Sequence, residues 1–232
     1  DRIKAPCPVF TQCGGCKLQD IKYEKQMEFK VGVVKDALKH IGKIESSSIR
    51  SVPAEKTYNY RNKGSFAIQK QAGFIRMGFF KQGSHDVIST ERCGILHDPI
   101  NDAKEFIREL LIKHQVSIYD EKKHLGLFRE LVIRHSQTTN QLLVGLVTTV
   151  GDFSEEFLEE LTNKNTCRKL SICGIVQNIN SQKTNVILGK ETRVLWGQGE
   201  LNEQLGNLKF QLSLTSFFQV HPEQTIRLLE II

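Results

Sequence analysis

Long apolar runs are missing from this chain: nothing approaches the roughly 18 consecutive apolar residues of a membrane span, so no membrane partner is expected. No low-complexity tract and no repeat with a period of about 20–50 residues is visible, which leaves out solenoids and flexible arrays. Cysteine is sparse for a disulfide framework, 6 in 232 residues, and the thiols are expected to be free. Acidic residues are outnumbered, 26 Asp and Glu against 32 Lys and Arg. The net charge of +6 permits a polyanionic partner without requiring one. With 39% hydrophobic and 25% charged residues, the composition is that of an ordinary globular protein of one large or two small domains, and a cytoplasmic one is expected.

What cysteine there is lies unevenly. Cys7-Pro-Val-Phe-Thr-Gln-Cys13-Gly-Gly-Cys16 places three thiols in one short loop, and the two glycines allow it to fold around a central object with N–H groups aimed at sulfur. A thioredoxin-like reading of Cys13 and Cys16 needs a preceding strand that this sequence does not offer. Three thiolates are one short of the usual four, so Cys93, Cys167 or Cys173 must complete the site. Spacing alone does not separate zinc from iron.

Periodicity predicts an α+β body in which antiparallel sheet predominates, with helices at its margins. A helix is expected over residues 18–41, open to interruption at Gly32 and stopped by Gly42. Strands are expected over 58–68, 73–80 and 86–89, the first two joined through Lys70-Gln71-Ala72. Asp98-Pro99 then opens a helix through His114, with Asp98 as its N-cap. A hairpin over 127–136 and 141–150 turns at Gln137-Thr138-Thr139-Asn140. A short helix over 154–163 and strands over 170–179, 192–196 and 208–214 follow, with Gly197-Gln198-Gly199 read as a β-turn. His221-Pro222 starts a last helix whose apolar face is Ile226, Leu228, Leu229, Ile231 and Ile232. That face suggests a piece of a longer chain. In Tyr58-Asn59-Tyr60-Arg61-Asn62-Lys63-Gly64-Ser65-Phe66, strand alternation sets Arg61 and Lys63 opposite Tyr58, Tyr60 and Phe66, so one face can serve the core while the other is either a solvated strand face or a basic face for RNA phosphate. His85 and His135 are read as ordinary histidines.

Taken together, C-P-x-F-x-x-C-G-G-C-x-L-Q at Cys7, Met77-Gly78-Phe79-Phe80 leading to Glu91-Arg92-Cys93, Leu131-Val132-Ile133-Arg134, Val176-Gln177-Asn178-Ile179-Asn180 and Ser216-Phe217-Phe218-Gln219-Val220 resemble the bacterial 23S rRNA (uracil-5-)-methyltransferases of the RumA type. The resemblance implies that Cys7, Cys13, Cys16 and Cys93 hold a 4Fe-4S cluster, which leaves Cys167 and Cys173 as buried structural thiols. It implies that Gln219 contacts S-adenosylmethionine and that 23S rRNA is the partner, with no obligate protein partner, whereas the segment read by itself is a strand end before a capped helix, with Phe217 and Phe218 as packing residues. His221 stands where the family usually has Asn. The expected organisation is a cluster loop over 1–17, a helix over 18–42 that packs on a methyltransferase domain, a β-rich central domain over 43–212 and the start of the methyltransferase domain over 213–232. The family's TRAM domain, catalytic Cys and acidic base have no counterpart in these residues, so the chain by itself is expected to be inactive. A non-catalytic RNA-binding or zinc-binding module is the alternative.

Overall fold

The computed structural model describes residues 1–45, 48–163 and 170–232. Cys167 lies outside the described residues. The elements, in chain order, are α1 (Tyr23–His40), β1 (Lys63–Gln71), β2 (Phe74–Phe80), β3 (Val87–Ser89), α2 (Asp98–Lys113), β4 (Phe128–Ser136), β5 (Gln141–Thr148), α3 (Glu155–Thr162), β6 (Ile172–Ile179), β7 (Glu191–Gly197), β8 (Glu200–Leu205), β9 (Leu208–Ser213) and α4 (Pro222–Ile231). Seven strands form one sheet in the order β3-β2-β1-β4-β5-β6-β7, antiparallel except for β5 beside β6. β8 and β9 form a separate hairpin. None of the described helices is long and apolar enough to cross a membrane.

Strand alternation gives the sheet two apolar faces. Phe66, Leu131, Ile133 and Val144 pack with Ile107 and Leu111 of α2 and Phe157 of α3 on one side. Val132, Leu143 and Val176 point the other way, against Leu201, Leu212 and Leu214 of the β8–β9 hairpin and the segment after it. The β1–β2 turn has Ala72 at φ 49 and Gly73 at φ 84; two successive positive values match the right-handed twist of the strands they join.

Several boundaries differ from those read in the sequence. Helix α1 starts at Tyr23, because the chain before it is used otherwise: Ile21 bridges Arg2, and the Ile3 N–H donates to Asp20 O at 2.8 Å. It runs unbroken through Gly32, and none of its residues is buried. Asp98 is not the N-cap of α2. His97 takes that position, and the Asp98 carboxylate is engaged by Arg92 at 2.6 Å. The first strand begins only at Lys63, since residues 59–61 pair instead with the turn after Cys93 through N–H bonds from Asn59 to Gly94 O at 2.8 Å and from Arg61 to Ile95 O at 2.8 Å. β8 has no counterpart among the expected strands.

Candidate functional site

The Cys7 loop closes on itself through the Cys13 N–H, which donates to Val9 O at 2.8 Å, and is pinned to the end of β2 by the Gly14 N–H to Phe80 O at 2.9 Å. Any side chain at Gly14 would collide, its Cβ falling 2.7 Å from that same carbonyl oxygen. Cys93 is fixed from the other side by α2. The carboxamide of buried Asn101 accepts from the Cys93 N–H at 2.8 Å and donates to Cys93 O at 3.2 Å. Buried Lys104 holds the carbonyls of Thr90 and Glu91 just upstream.

These two anchors bring Cys7, Cys13, Cys16 and Cys93 within electrostatic reach of one another. Burial pushes the Cys13 thiol up, and Cys16 and Cys7 add to the rise. Burial also raises Cys93, to which Cys16 and Cys13 contribute. Like-charged thiolates so arranged are poorly tolerated unless something cationic takes the charge. Two donors already face sulfur: the Gly15 N–H lies 3.4 Å from Cys13 Sγ and the Gln19 carboxamide 3.1 Å from Cys16 Sγ. Such N–H contacts suit thiolates that ligate a metal centre. Among the described residues, no group of three or more His, Cys, Asp and Glu side chains is placed to hold a metal ion. Cys173 on β6 is only half-buried, its thiol raised by burial, and it packs against the β8–β9 side of the sheet.

The expected division of the 58–66 segment is corrected in part. Phe66 is fully buried, but Tyr58 is exposed and Tyr60 stacks on His221 rather than joining the core. Early pairing with residues 94–96 takes this stretch out of strand geometry, so alternation does not apply to it. Lys63 is half-buried, and its pKa is lowered to about 8 by burial and by the neighbouring charges of Arg134 and Arg61. Arg61 turns back, Nε donating to Lys63 O at 3.0 Å.

The Ser216–Val220 segment crosses the same end of the sheet. The Asn62 N–H donates to Val220 O at 3.0 Å and the Asn62 carboxamide to Gln219 O at 3.3 Å. With its backbone tied down, Gln219 presents an exposed carboxamide that has no partner among the described residues. Phe218 packs on Phe210, whereas Phe217 is 87% exposed and is no packing residue. An aromatic ring so exposed beside a free carboxamide is what a planar polar ligand would meet. His221 ends the segment by capping α4, its Nδ1 accepting from the Gln224 N–H at 3.4 Å. The thiol quartet, the two cations and the Gln219 segment thus meet around residues 59–63. Sequence reasoning missed the placement of Arg134 and the Tyr60–His221 stack, which depend on pairings between distant segments.

No family model matches the chain. Among curated proteins it is 41% identical over 225 residues to an uncharacterized RNA methyltransferase of Clostridium tetani, covering 97% of this chain and 48% of that protein. It is 39% identical over 236 residues to an uncharacterized RNA methyltransferase of Halalkalibacterium halodurans, with 97% and 49% covered. Among solved structures it superposes, with a TM-score of 0.74 and 25% identity, on a Pyrococcus abyssi tRNA (uracil-54, C5)-methyltransferase in complex with S-adenosyl-L-homocysteine, covering 97% of this chain and 50% of that one. By sequence and by fold the chain is therefore related over nearly its whole length to the RNA methyltransferases, and it spans about half the length of the curated relatives it matches.

Proposed function

We propose that this chain is the cluster-bearing and RNA-contacting part of a cytoplasmic, S-adenosylmethionine-dependent RNA (uracil-5-)-methyltransferase whose substrate is 23S rRNA. The observation that carries the reading is the meeting of three features at one end of the sheet: the thiol quartet, the Arg61 and Lys63 cations, and the exposed Phe217–Gln219 strip. The relatives' description as RNA methyltransferases and the structural likeness to a uracil-C5 enzyme support it.

In this reading Cys7, Cys13, Cys16 and Cys93 hold a 4Fe-4S cluster, which crosslinks the N-terminal loop to the turn before α2. S-adenosylmethionine, when bound, supplies an electrophilic methyl group. The Gln219 carboxamide, with one donor and one acceptor side, orients the cofactor's polar groups, while Arg61 and Lys63 hold the RNA backbone. None of Cys13, Cys93 and Cys173 has the lowered pKa of an activated nucleophile; burial raises all three. In this reading these residues bind and position, and a methyltransferase domain that begins near residue 213 supplies the attacking thiol and base. The exposed Phe29, Val33 and Val34 of α1 offer an apolar surface on which that domain packs.

The test is methyl transfer by the protein encoded by the gene, given methyl-labelled S-adenosylmethionine and either 23S rRNA or tRNA. Label in 5-methyluridine of 23S rRNA is expected. Label in tRNA alone would move the substrate to the class of the Pyrococcus enzyme, and no transfer to either RNA would overturn the reading.

A further inference from the structure

The antiparallel register sets Lys63 of β1 directly opposite Arg134 of β4, so their side chains leave the sheet on the same face. Arg61 lies alongside, bonded to the Lys63 carbonyl at 3.0 Å. Arg134 is 3% exposed. Its Nη2 donates to the carbonyl oxygens of Leu214, at 3.3 Å, and Ser216, while its Nε–H is buried with no acceptor. None of the three cations forms a salt bridge among the described residues. Burial, with Arg134 and Arg61 adding, lowers the Lys63 pKa to about 8.

Such a trio is costly as pure scaffolding. Two carbonyl oxygens can be satisfied by a neutral amide, which would bring neither buried charge nor a spare donor. A guanidinium with a free N–H, within electrostatic reach of an ammonium and a second guanidinium, is instead complementary to an anion with several acceptor oxygens.

We propose that Arg61, Lys63 and Arg134 form a seat for a single backbone phosphate of the bound RNA, an assignment that rests on the RNA-methyltransferase reading above. Arg134 anchors the seat from beneath, and half-buried Lys63 closes it toward solvent. The bond from Arg134 to Ser216 O puts the seat one residue from exposed Phe217, so a phosphate held there fixes the strand beside the Phe217–Gln219 strip.

The experiment measures binding of the protein to a uridine-containing single-stranded RNA oligonucleotide and to a series in which one phosphate at a time is replaced by a neutral methylphosphonate. One position in the series should weaken binding about tenfold, as expected for a charged hydrogen-bonded contact. The same replacement should have little further effect in Lys63→Met or Arg134→Met. Lys63→Met, at the less buried position, carries the test if Arg134→Met does not fold. The slope of log affinity against log salt should fall by about 0.7 in Lys63→Met, one single-strand phosphate's share. Binding in which no phosphate couples to Lys63 or Arg134, or in which all contribute alike, overturns the seat and leaves the RNA reading standing. Failure to bind any of the oligonucleotides overturns both.

Discussion

The ring of Tyr60 lies flat against that of His221, with centroids 4.6 Å apart and planes 16° from parallel. Tyr60 is bonded through its N–H to Ile95 O at 3.1 Å, two residues beyond Cys93. Its hydroxyl is pushed up by burial, with Cys16 the next cause and Cys93 also contributing, so it lies within electrostatic reach of the thiols. His221 follows Gln219 by two residues and caps α4. The stack therefore joins the thiol quartet to the strip that carries Gln219.

If the stack transmits order between the two, Tyr60→Leu should cost about 1 kcal/mol beyond its lost burial and speed amide hydrogen exchange in residues 216–224. Tyr60→Phe keeps the ring and should behave as the parent. The measurement is native-state exchange read by mass spectrometry. Unchanged protection of residues 216–224 in Tyr60→Leu would show that the segment is held by Asn62 and Arg134 alone.

The thiol quartet predicts iron and inorganic sulfide in near-equal amounts in protein purified without oxygen, and a brown colour. Because Cys93 is far in sequence from the other three, loss of the cluster removes a long-range crosslink. Cys93→Ser should lower stability by about 2–4 kcal/mol, the scale of a lost crosslink. Zinc as the sole metal, or an unchanged melting temperature in Cys93→Ser, would contradict the assignment.

Two groups, half-buried Glu130 and buried His97, give stability opposite slopes with pH. Burial raises Glu130 to about 7, against a partly offsetting Arg129. Its protonated form is favoured by folding, so its contribution is intact below the unfolded pKa near 4.5 and is lost as pH rises toward 7. Glu130→Gln should then be more stable than the parent at pH 8, by about 2 kcal/mol, and no more stable at pH 4. His97 is lowered to about 4 by burial and by His135, whose Nδ1 lies 2.9 Å from its own. That contribution is intact above the unfolded pKa near 6.5 and lost as pH falls toward 4. Denaturant melts from pH 4 to 8 check both; a Glu130→Gln difference that does not change with pH would refute the first.

Most of the sheet was legible because its hairpins carry their own turn chemistry, as at Ala72-Gly73 and at the turn ending in Asn140, φ 52. β8 was not, because its inward row is Leu201, Glu203 and Leu205, and a carboxylate interrupts the apolar alternation. Glu203 is tolerated inside because Ser136 and Thr138 each donate to its Oε1 at 2.8 Å. The start of α1 was obscured by a bridge from Arg2 to Ile21, a pairing with no local signal. At the site, the cysteine spacing singled out Cys7, Cys13 and Cys16, and resemblance was needed to add Cys93 as a proposed fourth. The placement of Arg134, which stands in the sequence only as part of a motif, was not legible, since it faces Lys63 across a register that one strand's sequence does not reveal.

The proposed methylation of uridine C5 in 23S rRNA is tested most directly by nucleoside mass spectrometry of rRNA and tRNA from cells with the gene intact, deleted, and restored with either the parent or a Gln219→Ala allele. 5-Methyluridine should disappear from 23S rRNA on deletion, return with the parent gene and return incompletely with the Gln219→Ala allele. Full 5-methyluridine in the 23S rRNA of the deletion strain would contradict it.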